Sequence, residues 1–191
     1  FTYRLPDKIL VGTDQFIKLY SQMYGLPLDR FIRVPPAADE ERFYDRGVPK
    51  RSRFTALYWG NFLPHHGVDV IIEAAALLDK QAPIDFVLLG AGPQQRIAQE
   101  SAAHKDLSNV QFEGSVTDEV LHDWIARSHV CLGVFSEDVR ALASITNKVC
   151  EAAASRKAIV TGNSPAIREC FAHGENIHTV EPGSSEMLAT A

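Results

Sequence analysis

The stretch Gly60-Asn61-Phe62-Leu63-Pro64-His65-His66-Gly67 packs two imidazoles and an amide into one tight turn. It follows the apolar run 54–59 and precedes a helical pattern beginning at Val68. An imidazole beside an anion has its charged form favoured, so His66 could donate to a phosphate oxygen near neutral pH. Asn61 can donate only as a neutral amide. A metal pair is the weaker reading of the two histidines, because no third ligand stands at suitable spacing; His65 reads as loop surface. A second group is Thr146-Asn147-Lys148 with Glu151, a helix start, a cation and a carboxylate in close succession. Helix-terminal amides take anions, and a carboxylate in the first turns beside them can grip a diol.

The elements that would position these groups form a regular series. Residues 54–59 (FTALYW) read as a strand, and Val68, Ile71, Ile72, Ala75 and Leu78 fall at helical spacing. Strands follow at 84–89, 110–113, 129–135, 157–161 and 177–180. Helices are expected from Gly92-Pro93 to about Lys105, from the Thr117-Asp118 cap to Arg127, over 147–155, near 165–171 and after Gly183. Runs such as FVLL and HVCLGVF barely alternate, as strands covered on both faces do. The expected fold is therefore α/β, a doubly wound, Rossmann-like parallel sheet.

In such a sheet ligands bind beyond the carboxyl ends of the strands. The turns there carry Gly60, Gly90, Gly92 and Gly114-Ser115-Val116, small residues that let backbone N–H groups approach a ligand. A dinucleotide fingerprint is not completed: Gly90 and Gly92 are followed by Gln95, and the loop follows the second strand of the series. No P-loop and no D-x-D pair for a metal–diphosphate complex occurs.

Residues 1–50 read differently, with a strand at 8–11, a helix at 14–24, a strand at 32–34 and then a Pro- and charge-rich connector; the Rossmann-like domain is expected over 51–191. The chain has 191 residues, 46% apolar and 23% charged, with net charge -5. That suits a globular protein and disfavours nucleic-acid binding, which needs a basic face. No apolar run has transmembrane length and no signal peptide is visible. Cys131, Cys150 and Cys170 form no C-x-x-C pair and read as free thiols in a reducing cytoplasm. The first residue is Phe1, so the sequence reads as a fragment of something longer.

Taken in order, WGNFLPHHGVDVIIEAA, DFVLLGAGP, NVQFEGSVTDEVLHDWIARSHVCLGVF, NKVCEAAASRKAIVTGNSPAIRE and GENIHTVEPGSSEMLA resemble the C-terminal, donor-binding domain of glycosyltransferase family 4. These are retaining GT-B enzymes of polysaccharide biosynthesis that use nucleotide diphosphate sugars. The segment 7–39 resembles the end of that family's N-terminal domain and its hinge. The resemblance implies that Glu151 accepts from the ribose hydroxyls, that the amides of Thr146, Asn147 and Lys148 hold the diphosphate, and that Gly114 to Val116 flank the base. It implies no metal and no cofactor beyond the nucleotide-sugar substrate. Other partners would be an acceptor glycan or lipid-linked glycan and the N-terminal acceptor domain. A cytoplasmic location is implied, peripheral to the inner membrane face through the missing domain.

Two departures stand out. The family's first turn carries an Arg and a Lys, where this chain has Asn61 and His66; a glutamate that commonly contacts the donor sugar is Ala143 here. Arg140 and Lys148 are candidates for the lost positive charge, although Arg140 reads equally well as a surface cation. The departures keep a second reading in view, a non-catalytic nucleotide- or sugar-binding module. A flavodoxin-like or dinucleotide-dependent enzyme ranks third.

Overall fold

The computed structural model describes residues 5–191; positions 1–4 of the expected N-terminal remnant lie outside them. Strand β1 (Ile9–Val11), helix α1 (Asp14–Tyr24) and strand β2 (Phe31–Arg33) form a small unit of their own, with β1 and β2 parallel. Thr13 caps α1 through Phe16 N–H, and Gly25 ends it in the left-handed region.

The remaining strands are β3 (Phe54–Trp59), β4 (Ile84–Leu89), β5 (Val110–Glu113), β6 (Val130–Leu132), β7 (Ala158–Gly162) and β8 (His178–Val180). Helices α2 (Val68–Leu78), α3 (Gln95–His104), α4 (Asp118–Arg127), α5 (Val139–Leu142), α6 (Asn147–Ala154) and α7 (Ser185–Thr190) connect or follow them. Every neighbouring pair is parallel, in the order β5-β4-β3-β6-β7-β8. Counted from β3, that is the 3-2-1-4-5-6 order of the doubly wound dinucleotide fold, whose direction reverses between β3 and β6.

Alternation along β3 divides the core between the two faces. Ala56 and Tyr58 join the cluster with α2 and α3, while Leu57 and Trp59 join the one with Ile125 of α4 and Val149 of α6. β3 pairs with β4 along its full length, Phe54↔Ile84 to Trp59↔Leu89. It pairs with β6 only at Ala56↔Val130 and Leu57↔Cys131. The two central strands therefore part before their carboxyl ends, and beyond β6 the chain packs on the turn after β3 instead, where Phe135 N–H donates to His66 O.

That parting is where expectation and structure differ most. A strand was expected over 129–135, but β6 stops at Leu132. The chain then runs close against β7: a Cβ on Gly133 would lie 2.2 Å from Thr161 Oγ1. Val134 N–H donates to that same hydroxyl. Residues 165–171, expected as a helix, make one 3-10 turn, Ile167–Glu169, and the loop before α6 holds the unexpected short helix α5. The connector has no regular structure, yet Phe43 is buried in the α4/α6 core and Arg51 lies 4.1 Å from the Trp124 ring centroid.

The N-terminal unit is fastened to the large domain. Thr13 Oγ1 donates to Ala143 O at 2.5 Å. The Glu169 carboxylate accepts from the Asp14 and Gln15 amides and pairs with Arg33 at 3.2 Å. A carboxylate on the first amides of a helix also meets the positive end of its dipole.

Candidate functional site

At the carboxyl end of β3 consecutive side chains go to opposite faces, and each meets a group from a distant part of the chain. Tyr58 Oη lies 2.8 Å from His66 Nδ1. Trp59 Nε1–H donates to Glu151 Oε2 at 2.7 Å. Between them, Lys148 rises from the first turn of α6 past the end of β3. Its Nζ is 3.5 Å from His66 Nδ1 and 4.3 Å from the Tyr58 ring centroid. Gly60 lies directly over it, since an added Cβ there would be 3.3 Å from Nζ.

Lys148 is buried, and no ion pair reaches it among the described residues. Burial pulls its pKa down to about 7, against a smaller opposing effect of the Glu151 charge. His66 is also buried and is held down to about 3, by desolvation first and by the Lys148 and His65 charges after it. In the chain alone its imidazole is therefore neutral at neutral pH, and the charged form expected beside a diphosphate would have to be drawn out by that anion. A protonated Lys148 can only donate, so its contact with His66 is a hydrogen bond in the tautomer that carries the ring proton on Nε2. The positive charge expected in this turn arrives through space, from a residue 82 positions later.

The start of α6 presents unused donors. Val149 N–H makes the first bond to Thr146 O, and no hydrogen bond engages the amides of Thr146, Asn147 and Lys148 among the described residues. Thr146 stands at the N-cap without capping, and its buried hydroxyl has no partner. Beside it is a void of about 10 Å³, lined in part by Ser136, Ser144 and Ser164. That is about the room one water needs. Helix-terminal amides without partners and an ammonium without a counter-charge are groups of the kind that hold anions.

A cleft of about 190 Å³ lies across the ends of β3, β4 and β5. Trp59, Gly60, Asn61, Gly90, Ser115 and Val116 line it. Gly114 faces open space, with nothing within 4 Å of an added Cβ. Glu151, half-buried, stands where the Trp59 side of the cleft meets α6.

Two of the glycines have a packing reason that the sequence did not show. A Cβ on Gly90 would come within 2.1 Å of Gly60 O, and one on Gly92 within 1.6 Å of Asn61 O. Gly90 and Gly92 are small so that two turns can pack backbone to backbone. Gly90 still lines the cleft; Gly92 does not. Arg140 stands exposed on α5 with its guanidinium turned onto Asp138, at 3.0 and 3.1 Å. Its charge is thereby occupied outside the Lys148 cluster. His65 is half-buried rather than on the loop surface, edge-on to His66.

Sequence reasoning missed Trp59 and Tyr58, which it read as strand residues only. One signal was available for the first: a buried indole N–H needs an acceptor.

The fold is the Rossmann-like one of GT-B glycosyltransferase domains. The profile of the glycosyl transferases group 1 matches residues 53–191, and the chain belongs to that family. Among solved structures it is similar to a glycosyltransferase from Rickettsia africae, with 15% identity over 96% of this chain and 52% of that one, at a TM-score of 0.79. It is likewise similar to HepE from Anabaena in complex with UDP-glucose, with 16% identity, 98% and 53% covered and a TM-score of 0.81. A sucrose-phosphate synthase from Thermosynechococcus elongatus shows 18% identity, 97% and 48% covered and a TM-score of 0.78. The chain spans about half the length of these structures. No curated protein matches the sequence. Among the described residues no helix is long and apolar enough to cross a membrane.

Proposed function

We propose that this chain is the donor-binding half of a retaining glycosyltransferase of family 4. The whole protein moves a hexosyl unit from a nucleotide diphosphate sugar to an acceptor hydroxyl on a glycan or lipid-linked glycan. The observation that carries this reading is the convergence, at one strand end, of Lys148, the unused amides of Thr146, Asn147 and Lys148, and the Glu151 carboxylate.

In this reading the nucleoside lies in the cleft lined by Trp59, Ser115 and Val116, with its ribose hydroxyls on Glu151. The diphosphate sits on the α6 amides and Lys148. When the bond from the sugar's anomeric carbon to the diphosphate oxygen breaks, negative charge grows on the leaving group. Donors already aimed there stabilise that charge without having to reorganise. Lys148 and the amides take this role without a metal ion. Acceptor groups belong to the N-terminal acceptor domain, so the 191-residue chain binds donor and transfers nothing by itself. A cytoplasmic location, peripheral to the membrane through that domain, goes with the same reading.

A thermal-shift panel of UDP, GDP, ADP and dTDP tests it. One nucleotide at a hundred times its dissociation constant adds about 2.7 kcal/mol, which for a chain of this size raises Tm by roughly 5–10 °C. Four flat responses at millimolar concentration would remove the nucleotide from the account.

A further inference from the structure

The contact between Trp59 and Glu151 joins the two halves of nucleoside recognition. The indole belongs to β3 and lines the base cleft; the carboxylate belongs to α6 and stands beside the free amides. Trp59 is 6% exposed, so its N–H needs an internal partner, and Glu151 Oε2 at 2.7 Å is that partner. A carboxylate offers about four acceptor positions and an indole fills one. No other side-chain hydrogen bond reaches Glu151 among the described residues, so Oε1 and the second lone pair of Oε2 remain for a ligand. A free glutamate side chain samples several rotamers, and holding one of them restricts a group that must meet two hydroxyls at once.

We propose that Trp59 is the positioning residue for ribose. Its N–H fixes the Glu151 carboxylate in the orientation that accepts from both hydroxyls of a ribonucleotide, and its ring forms a wall of the base cleft. This deepens the proposed function and rests on it. The rival arrangement is that Glu151 serves only to satisfy the indole, in which case neither residue senses the pentose.

The test compares UDP, GDP and ADP with their 2′,3′-dideoxy forms by calorimetric titration, on the wild-type chain and on Trp59→Phe, which keeps an aromatic ring and removes the N–H. Wild type is expected to prefer the ribonucleotide by about tenfold or more, the scale of a hydrogen bond to a charged group. Trp59→Phe should narrow that preference to roughly threefold, on top of whatever loss the smaller ring imposes on both ligands alike. A ribonucleotide preference unchanged in the variant overturns the proposal. If no nucleoside diphosphate binds the wild type, the proposed function itself falls and takes this inference with it.

A measurement on the wild type alone covers a variant that fails to fold. Trp59 and Trp124 are the two tryptophans. The Trp59 indole N–H resonance should move further on adding the ribonucleotide than on adding the dideoxy form, with Trp124 as reference. Equal movement with both ligands counts against the proposal.

Discussion

Lys148→Met is expected to weaken nucleoside diphosphate binding about a hundredfold while leaving the free chain at least as stable. The two effects have one cause. An ammonium buried under Gly60, between His66 and Tyr58 and without an ion pair among the described residues, is held in a place that disfavours its charge. A bound diphosphate supplies the missing counter-charge, and truncating one partner of such a buried pair costs about 2–5 kcal/mol. Without ligand, an apolar chain of similar volume removes a desolvation penalty, so the free variant should gain about 1 kcal/mol. The pH dependence follows from the Lys148 pKa of about 7, well below the ordinary 10.5. Between those values the unfolded chain binds more protons, so this group makes the free protein more stable as pH rises from about 7 toward 10.5. The penalty is fully present below 7. Diphosphate needs the charged form, so wild-type affinity should fall as pH rises through 7 and beyond. Calorimetry across pH 6 to 9, with melting curves, reads both slopes; in Lys148→Met both should vanish. A variant that binds as wild type does would remove Lys148 from the site.

Gly92→Ala should be the most damaging single methyl group at the rim. Its Cβ would fall 1.6 Å from Asn61 O and 2.5 Å from the same carbonyl carbon, and neither is the free end of a side chain. The turn after β3 or the turn after β4 must move. The expected cost is about 3–5 kcal/mol, at the upper end of single substitutions. The Gly60-Asn61 turn also walls the cleft, so nucleotide affinity should fall with stability even where the variant stays folded. Gly114→Ala is the matched control: nothing lies within 4 Å of the added atom, and a change within about 0.5 kcal/mol is expected. Denaturant melts of the two variants decide the matter, and similar midpoints would mean that the turns are not in backbone contact.

Much of the architecture could be read from the residues. The uninterrupted runs FTALYW and IDFVLL placed β3 and β4 to the residue, and Thr117 marked the start of α4. Their signals are local: apolar runs covered on both faces and a capping hydroxyl. The truncation of β6 was hidden, because it depends on Gly133 fitting against Thr161, a residue of the next strand. Residues 165–171 offered Ala166 and Ile167 as buried positions, enough for one turn but not for a helix. The site divided in the same way. Thr146 to Glu151 announced themselves as a helix start with a carboxylate. The neutrality of His66 did not, because it rests first on burial by the fold and then on the charge of Lys148, which does not share its turn. Gly90 and Gly92 were seen as glycines with a purpose, but their backbone neighbours belong to another turn, invisible along the sequence.

The central claim is that the start of α6, with Lys148, receives a nucleotide's diphosphate. Backbone ¹H–¹⁵N spectra recorded while UDP, GDP or ADP is added test it most directly. The largest shifts should fall on the amides of Thr146, Asn147 and Lys148, with smaller ones at Gly60 and Ser115, and uridine, guanosine or adenosine alone should leave the α6 amides nearly still. Saturable binding that leaves those three resonances in place, or that moves them equally with and without the phosphates, would contradict it.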